Sequence, residues 1–400
     1  MCAPTLGELQ MNILLIPNND WINHPVPAQR HYKIFEKLGQ THNVYVMHFD
    51  IFKRKGNPTY TPKFTRSIKP FTIHVSNPAQ FYMVNLVFQG KKILSVIKEL
   101  DIDIVFGSNL AVCTLGFEAS KRYGAKKIFD LSDFFPASAQ AYYPEANRIS
   151  ADIIYSLAML ITNHNIRIAD LCTTCSIALK EYAARVASNT RVEHLPNGVD
   201  TQVFKPRKPS EKLRNNLELD ADVLTYVGSI ESWLDFDIVF KAISILKKEG
   251  VKIQLLIIGR SIYSGKENPL IQKVLKHGLK RQVKFLGYQP YERLTDFINL
   301  SVGGLIPFKI NSRLTEMAFP NKLVEYLACG KPVFAPPLRE LTKVGGEYLL
   351  TYTSPKSLAS QIKSAISSEY DFEEIRKSVL SYDWDIIADK LEVLMQELLG

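Results

Sequence analysis

Short apolar runs alternate along the chain with longer stretches in which apolar residues recur every three or four positions. Runs at 13–16, 44–49, 72–75, 102–107, 127–131, 171–174 and 192–195 read as strands. Between them, 29–38, 84–100, 110–123, 151–169 and 177–187 read as amphipathic helices. A second series follows, with strands at 223–227, 254–258, 283–286, 304–307, 333–335 and 348–352 and helices at 237–248, 290–299, 321–329 and 355–367. Strands and helices that alternate in this order predict doubly wound parallel sheets, an α/β class. The stretch 205–216 is polar and carries Pro206 and Pro209, which suits a linker. Two Rossmann-like domains are therefore expected, 1–205 and 216–379. A last amphipathic helix lies within 380–400.

Composition adds limits. A chain of 400 residues is too long for one ordinary core. The net charge of +9 suits an anionic ligand or an anionic lipid surface, and no Lys/Arg run of the kind that binds nucleic acid is present, so nucleic acid is not an expected partner. No stretch has the roughly 18–20 apolar residues of a spanning helix. The first ten residues have neither the basic start nor the apolar centre of a signal peptide, which predicts a cytoplasmic protein. Residues 84–98 place Leu86, Val87, Ile93, Leu94 and Ile97 beside Lys91, Lys92 and Lys98, a pattern that fits peripheral contact with the inner face of the cell membrane. Cys172 and Cys175 have CxxC spacing without a second pair, which predicts reduced core thiols rather than a zinc site.

The chemistry concentrates at 318–335, where a short helix runs straight into a buried strand. Pro320 suits a helix start and Gly330 a helix stop. Lys322 and Glu325 fall in the first turns, where N–H groups and the helix dipole favour an anion. A carboxylate one turn further in can accept two hydrogen bonds from a ribose, so the segment fits a diphosphate beside a diol. In the first half, Asp130 and Asp133 end a strand three positions apart, where they would face an acceptor hydroxyl and one could act as a general base. Asp133 also fits a helix N-cap. Trp21, Gln29 and Arg30 follow the first strand and could line the same side.

The run from Ala318 to Ala335 resembles the donor-site motif of GT-B glycosyltransferases, particularly family four (group 1): a glutamate-bearing helix, then Ala-x-Gly-x-Pro-Val. Leu195-Pro196-Asn197-Gly198-Val199-Asp200, with Phe204 and Pro206, resembles the interdomain signature of the same family. The resemblance implies two Rossmann-like domains facing a cleft, with the last helix crossing back onto the first. It implies a nucleoside diphosphate sugar as donor substrate, a glycan or lipid-linked hydroxyl acceptor, and no essential metal or other cofactor. Glu325 and Lys322 take donor-binding roles, and Glu316 stands near the position of the family's first glutamate, nine rather than eight residues before the second. The family's phosphate-binding arginine and lysine are replaced by Ser229, after Gly228, and by Leu234. Arg260, Lys309 and Arg313 are the candidates for the missing positive charge, Arg313 being able to grip phosphate bidentately. These variants resemble a branch of cell-surface polysaccharide glycosyltransferases. The expected activity is hexose transfer; the alternatives are a GT-B sugar-nucleotide epimerase and a non-catalytic nucleotide-sugar-binding subunit.

Overall fold

The computed structural model describes residues 10–18, 29–49, 61–75, 78–108, 110–141, 148–261 and 267–400. The chain divides into two compact units. Among the described residues, the first holds those up to 141, 148–196 and 384–400; the second holds those of 197–383.

Among the described residues, the first unit has seven parallel strands: β1 (Asn12–Ile16), β2 (Asn43–Met47), β3 (Thr65–Ile68), β4 (Ile104–Gly107), β5 (Lys126–Leu131), β6 (Leu171–Thr174) and β7 (Arg191–His194). Their order is β3-β2-β1-β4-β5-β6-β7. The helices are α1 (Gln29–Leu38), α2 (Pro78–Glu99), α3 (Leu110–Tyr123), α4 (Phe135–Ala141), α5 (Arg148–Ile168) and α6 (Ile177–Val186). In the second unit, α7 (Glu211–Asn216) precedes β8 (Asp222–Val227), α8 (Phe236–Lys248), β9 (Ile253–Ile258), α9 (Glu267–Lys276), β10 (Val283–Gly287), α10 (Tyr291–Asn299) and β11 (Gly303–Leu305). Then come α11 (Arg313–Met317), α12 (Asn321–Ala328), β12 (Val333–Ala335), α13 (Arg339–Gly345), β13 (Leu349–Thr351), α14 (Pro355–Ser367) and α15 (Phe372–Lys377). The order β10-β9-β8-β11-β12-β13 repeats the doubly wound pattern of the first sheet. Helices on both faces explain why β4 and β9 are buried at every residue and read as continuous apolar runs.

The last helix, α16 (Trp384–Leu399), belongs to the first unit and packs beside α1. Its Trp384, Ile387, Leu391 and Met395 join Ile13, Phe35, Val46 and Phe106 in one core. Polar contacts fix its direction: His42 Nε2 lies 2.9 Å from Glu392, Arg191 pairs with Glu397 at 2.8 Å, and Lys390 Nζ donates to the His194 carbonyl at 2.7 Å.

The sheet differs from the sequence expectation at one edge. The β-branched stretch 72–75 is not a strand; Thr65–Ile68 takes that place. Asn85 of α2 explains part of this, because its side chain bonds both the N–H and the carbonyl of Ile73, using up the backbone groups a ladder would need. The true edge strand is short and half exposed, so it leaves no apolar signature. The polar stretch 205–216 lies within the second unit and includes α7, capped by Ser210.

Candidate functional site

The strand ends of β8, β9 and β11 are tied together by their following loops. The Gly228 N–H donates to the Ile258 carbonyl at 2.9 Å, and the Ile230 N–H to the Arg260 carbonyl at 3.2 Å. The Lys309 N–H donates to Trp233 and the Asp235 N–H to Pro307. Gly228 and Gly259 hold φ of +135° and +134°, a region that favours glycine. A Cβ on Gly259 would lie 1.9 Å from the Gly228 carbonyl oxygen, and one on Gly228 would lie 2.6 Å from Lys322 Nζ. The two bare backbones thus meet beneath the start of α12.

Tyr326 explains how α12 is set over these strands. Its hydroxyl accepts from the Val227 N–H at 2.8 Å, and its ring occupies the space a side chain on Gly304 would fill, 2.2 Å from that Cβ position. Burial raises its hydroxyl pKa far above the ordinary range. With Tyr326 anchored inward, the first turn of α12 and Lys322 sit at the carboxyl end of β8. Lys322 Nζ lies 4.2 Å from the ring centroid of Tyr226, a buried β8 residue whose hydroxyl donates to the Ser229 carbonyl at 2.5 Å. This is cation–π geometry, and it holds the ammonium beside Gly228.

Glu325 is 6% exposed. Burial pushes its carboxyl up to about 7, against the pull of Lys322. Burial likewise brings the Lys322 ammonium down to about 7, with Glu325 opposing. Two ionisable groups are thus held where water does not fully solvate them, as at sites that bind polar ligands. Pro320 is the residue before the helix rather than in its first turn, and no side chain caps α12. The Asn197 amide of the second sequence motif donates to the Phe319 carbonyl at 2.7 Å, which fixes the approach to that helix.

The other predicted residues fall into two groups. Lys309, Arg313 and Glu316 are exposed on the loop after β11 and on α11, and Arg260 is exposed after β9, its guanidinium 5.8 Å from the Tyr288 ring centroid. Leu234 is buried in a bridge with Phe308, so the place of the family lysine serves packing here. In the first unit, Asp130 turns inward. Its oxygens accept from Arg30 at 2.8 and 3.0 Å and from the Thr173 hydroxyl at 2.8 Å, and lie 3.1 Å from His31 Nε2. These partners overcome the burial cost and hold the carboxyl well below the ordinary carboxylate range. Arg30 also donates to the carbonyls of Leu195 and Pro196, so it is a core anchor rather than a surface group. Asp133 accepts from the Phe134 N–H and the Ser138 hydroxyl at the start of α4, and burial pushes its carboxyl up. Trp21 lies outside the described residues, as does the side chain of Gln29. Cys172 and Cys175 are buried thiols outside any disulfide. Tyr226 and Tyr326 were not expected at the site. Their only sequence signal is a tyrosine at a fully apolar position, where the hydroxyl needs a partner.

The two doubly wound parallel-sheet units give the chain the GT-B fold. Residues 208–379, the greater part of the second unit, match the family of glycosyl transferases group 1. The chain is similar to the glycosyltransferase TuaH of Bacillus subtilis (strain 168), named for teichuronic acid biosynthesis, at 24% identity over 268 residues. That match covers 65% of this chain and 64% of TuaH, less than two thirds of the relative's own length. Among solved structures, sucrose-phosphate synthase from Thermosynechococcus elongatus superposes with a TM-score of 0.79 at 16% identity, covering 97% of this chain and 99% of that one. Anabaena Alr3699/HepE in complex with UDP gives a TM-score of 0.68 at 17% identity, over 97% of this chain and all of that one.

Proposed function

We propose that the protein transfers a hexose from a nucleoside diphosphate sugar to a hydroxyl on a glycan or lipid-linked acceptor, with no metal or other cofactor. The observation that carries this reading is the cluster at the carboxyl end of β8: Lys322 over Tyr226, beside bare Gly228, with Glu325 one turn further along α12. The family match over 208–379 supports glycosyl transfer as the reaction class, and UDP in the Alr3699/HepE structure supports a nucleotide at such a fold.

In this reading Glu325 accepts hydrogen bonds from the two ribose hydroxyls. The diphosphate lies over Gly228, Ser229 and the first N–H groups of α12. Lys322 neutralises one phosphate, and Lys309, Arg313 and Arg260 supply the charge that Ser229 and Leu234 do not. As the glycosidic bond to the donor breaks, negative charge grows on the leaving phosphate, and preorganised donors there lower the barrier. Glu316 stands toward the donor sugar. Asp133, with its raised carboxyl, is the better-suited general base of the first unit, since Asp130 is already bonded to Arg30, His31 and Thr173.

Calorimetry with a panel of uridine, guanosine and thymidine diphosphate sugars, followed by a product assay, tests the proposal. Binding of one donor with release of its nucleoside diphosphate supports it. Tight binding without turnover on any acceptor favours a binding subunit, which the absent arginine–lysine pair would explain. Isomerised sugar nucleotide favours an epimerase.

A further inference from the structure

We infer that the first unit docks on an anionic lipid surface through the outer face of its α2–α3–α5 layer. Right-handed crossovers place the helices that connect β3 to β4, β4 to β5 and β5 to β6 on one face of the sheet, opposite α1 and α16. The contacts agree: α2 packs on α3, and α3 on α5. Each of these helices begins near the carboxyl ends of the strands and runs toward their amino ends.

The outward surface of this layer is divided along its length. On α5, Ile149, Ile153, Leu157 and Leu160 are spaced i, i+4, i+8 and i+11 and share one exposed stripe, with Ile149 76% and Leu160 67% exposed. The opposite side of the helix is fixed inward, because Asn165 bonds the Leu110 carbonyl and the Thr114 hydroxyl of α3. On the first half of α2, Met83 is 77% exposed, and Val84 and Val87 are exposed beside it. Phe71 lies against Phe88 of the same helix, ring centroids 4.9 Å apart, and is itself exposed. Toward the other end of the layer the exposed groups are basic: Lys91 and Lys98 on α2, Lys121 and Arg122 on α3, and His164 and Arg167 on α5. The acids on or beside this surface are Glu99, Asp101, Glu118 and Asp152. Glu118 is paired with Lys121 at 2.8 Å, and Asp152 accepts from Gln140.

Of the apolar residues within 84–98, only part faces outward. Ile93 and Ile97 are buried in the unit, so the face that meets lipid is set by Met83, Val84 and Val87, with the larger share on α5. Exposed apolar residues on two helices and a loop, with cations further along the same helices, match a surface that lies along the interface with its apolar part toward hydrocarbon and its cations on headgroup phosphates. An apolar face of this kind enters the headgroup–acyl boundary by roughly 5–10 Å. The charge arrangement complements anionic headgroups, which selects lipid over a second copy of this equally basic chain.

Flotation of the full chain with phosphatidylcholine vesicles, with and without phosphatidylglycerol, tests the assignment. The wild type should float with phosphatidylglycerol vesicles at low salt and less with phosphatidylcholine alone. Leu157→Glu/Leu160→Glu should weaken that binding by about tenfold or more. Lys91→Glu/Lys98→Glu should weaken it only on the anionic vesicles, by about fivefold or more per lysine. Melting temperature checks each variant, and Leu160→Gln alone gives the same reading if the double variant melts early. No flotation of the wild type, or flotation unchanged by these substitutions, overturns the inference. So does a dimer in sedimentation velocity that Leu157→Glu/Leu160→Glu dissolves while no vesicle binds, which would assign the face to a second copy. Vesicle binding needs no sugar nucleotide, so failure of the donor assay leaves this outcome readable.

Discussion

Replacing Glu325 by Gln should make the ligand-free protein more stable and the donor weaker-bound at the same time. Glu325 is 6% exposed, and burial raises its carboxyl from the ordinary 4.5 to about 7. An acid whose pKa is higher folded than unfolded favours folding in its protonated form, so its contribution falls as pH rises from about 4.5 to 7 and stays low above that. The difference corresponds to about 3 kcal/mol at most. Glutamine is uncharged throughout, but its amide must also find partners, which takes back about 1–2 kcal/mol. At pH 8 the variant should therefore exceed wild type by about 1–2 kcal/mol in urea denaturation, and at pH 4.5 the two should agree. Donor affinity at pH 8 should drop by about tenfold, because hydrogen bonds to a charged acceptor are worth roughly 1.5–3 kcal/mol each and the amide oxygen restores only part of that. Denaturation across pH and calorimetry with the donor read the two effects separately. A variant less stable than wild type at pH 8 would make Glu325 a structural contact. Unchanged donor affinity would refute the ribose role.

Other outcomes follow from the same geometry. Donor binding should be strongest near neutral pH, falling below about 7 as Glu325 takes up a proton and above about 7 as Lys322 loses one, with the alkaline limb shifted upward once a diphosphate is bound; a pH series of dissociation constants checks this. Gly259→Ala should destabilise more than Gly228→Ala, since its Cβ would meet backbone at 1.9 Å rather than the movable tip of Lys322 at 2.6 Å; thermal melts rank them. Arg30→Ala should cost about 3–5 kcal/mol by stranding the buried Asp130 carboxylate, with the loss shrinking toward acid pH; a destabilisation under 1 kcal/mol would contradict the core-anchor reading.

The sheets were legible wherever burial on both faces wrote a continuous apolar run, as in Ile253–Ile258. They were not where an edge strand is polar and short, as in Thr65–Ile68. Short helices such as α7 and α11 escaped because so few residues carry no periodicity. The place of Lys322 and Glu325 in the first turns of a helix was readable because a helix start and an apolar face coincide. The cation–π contact of Lys322 with Tyr226 was not, since it joins residues 96 positions apart through the meeting of β8 and α12. Asp130 looked like a surface base only because its partners, Arg30 and Thr173, arrive from α1 and β6.

The most direct test is a crystal structure of the protein with a nucleoside diphosphate sugar bound. The account predicts both ribose hydroxyls on Glu325, with the diphosphate over Gly228 and the first turn of α12 and Lys322 lifted from Tyr226 to a phosphate oxygen. A nucleotide bound elsewhere, with Lys322 still over the Tyr226 ring, would contradict it.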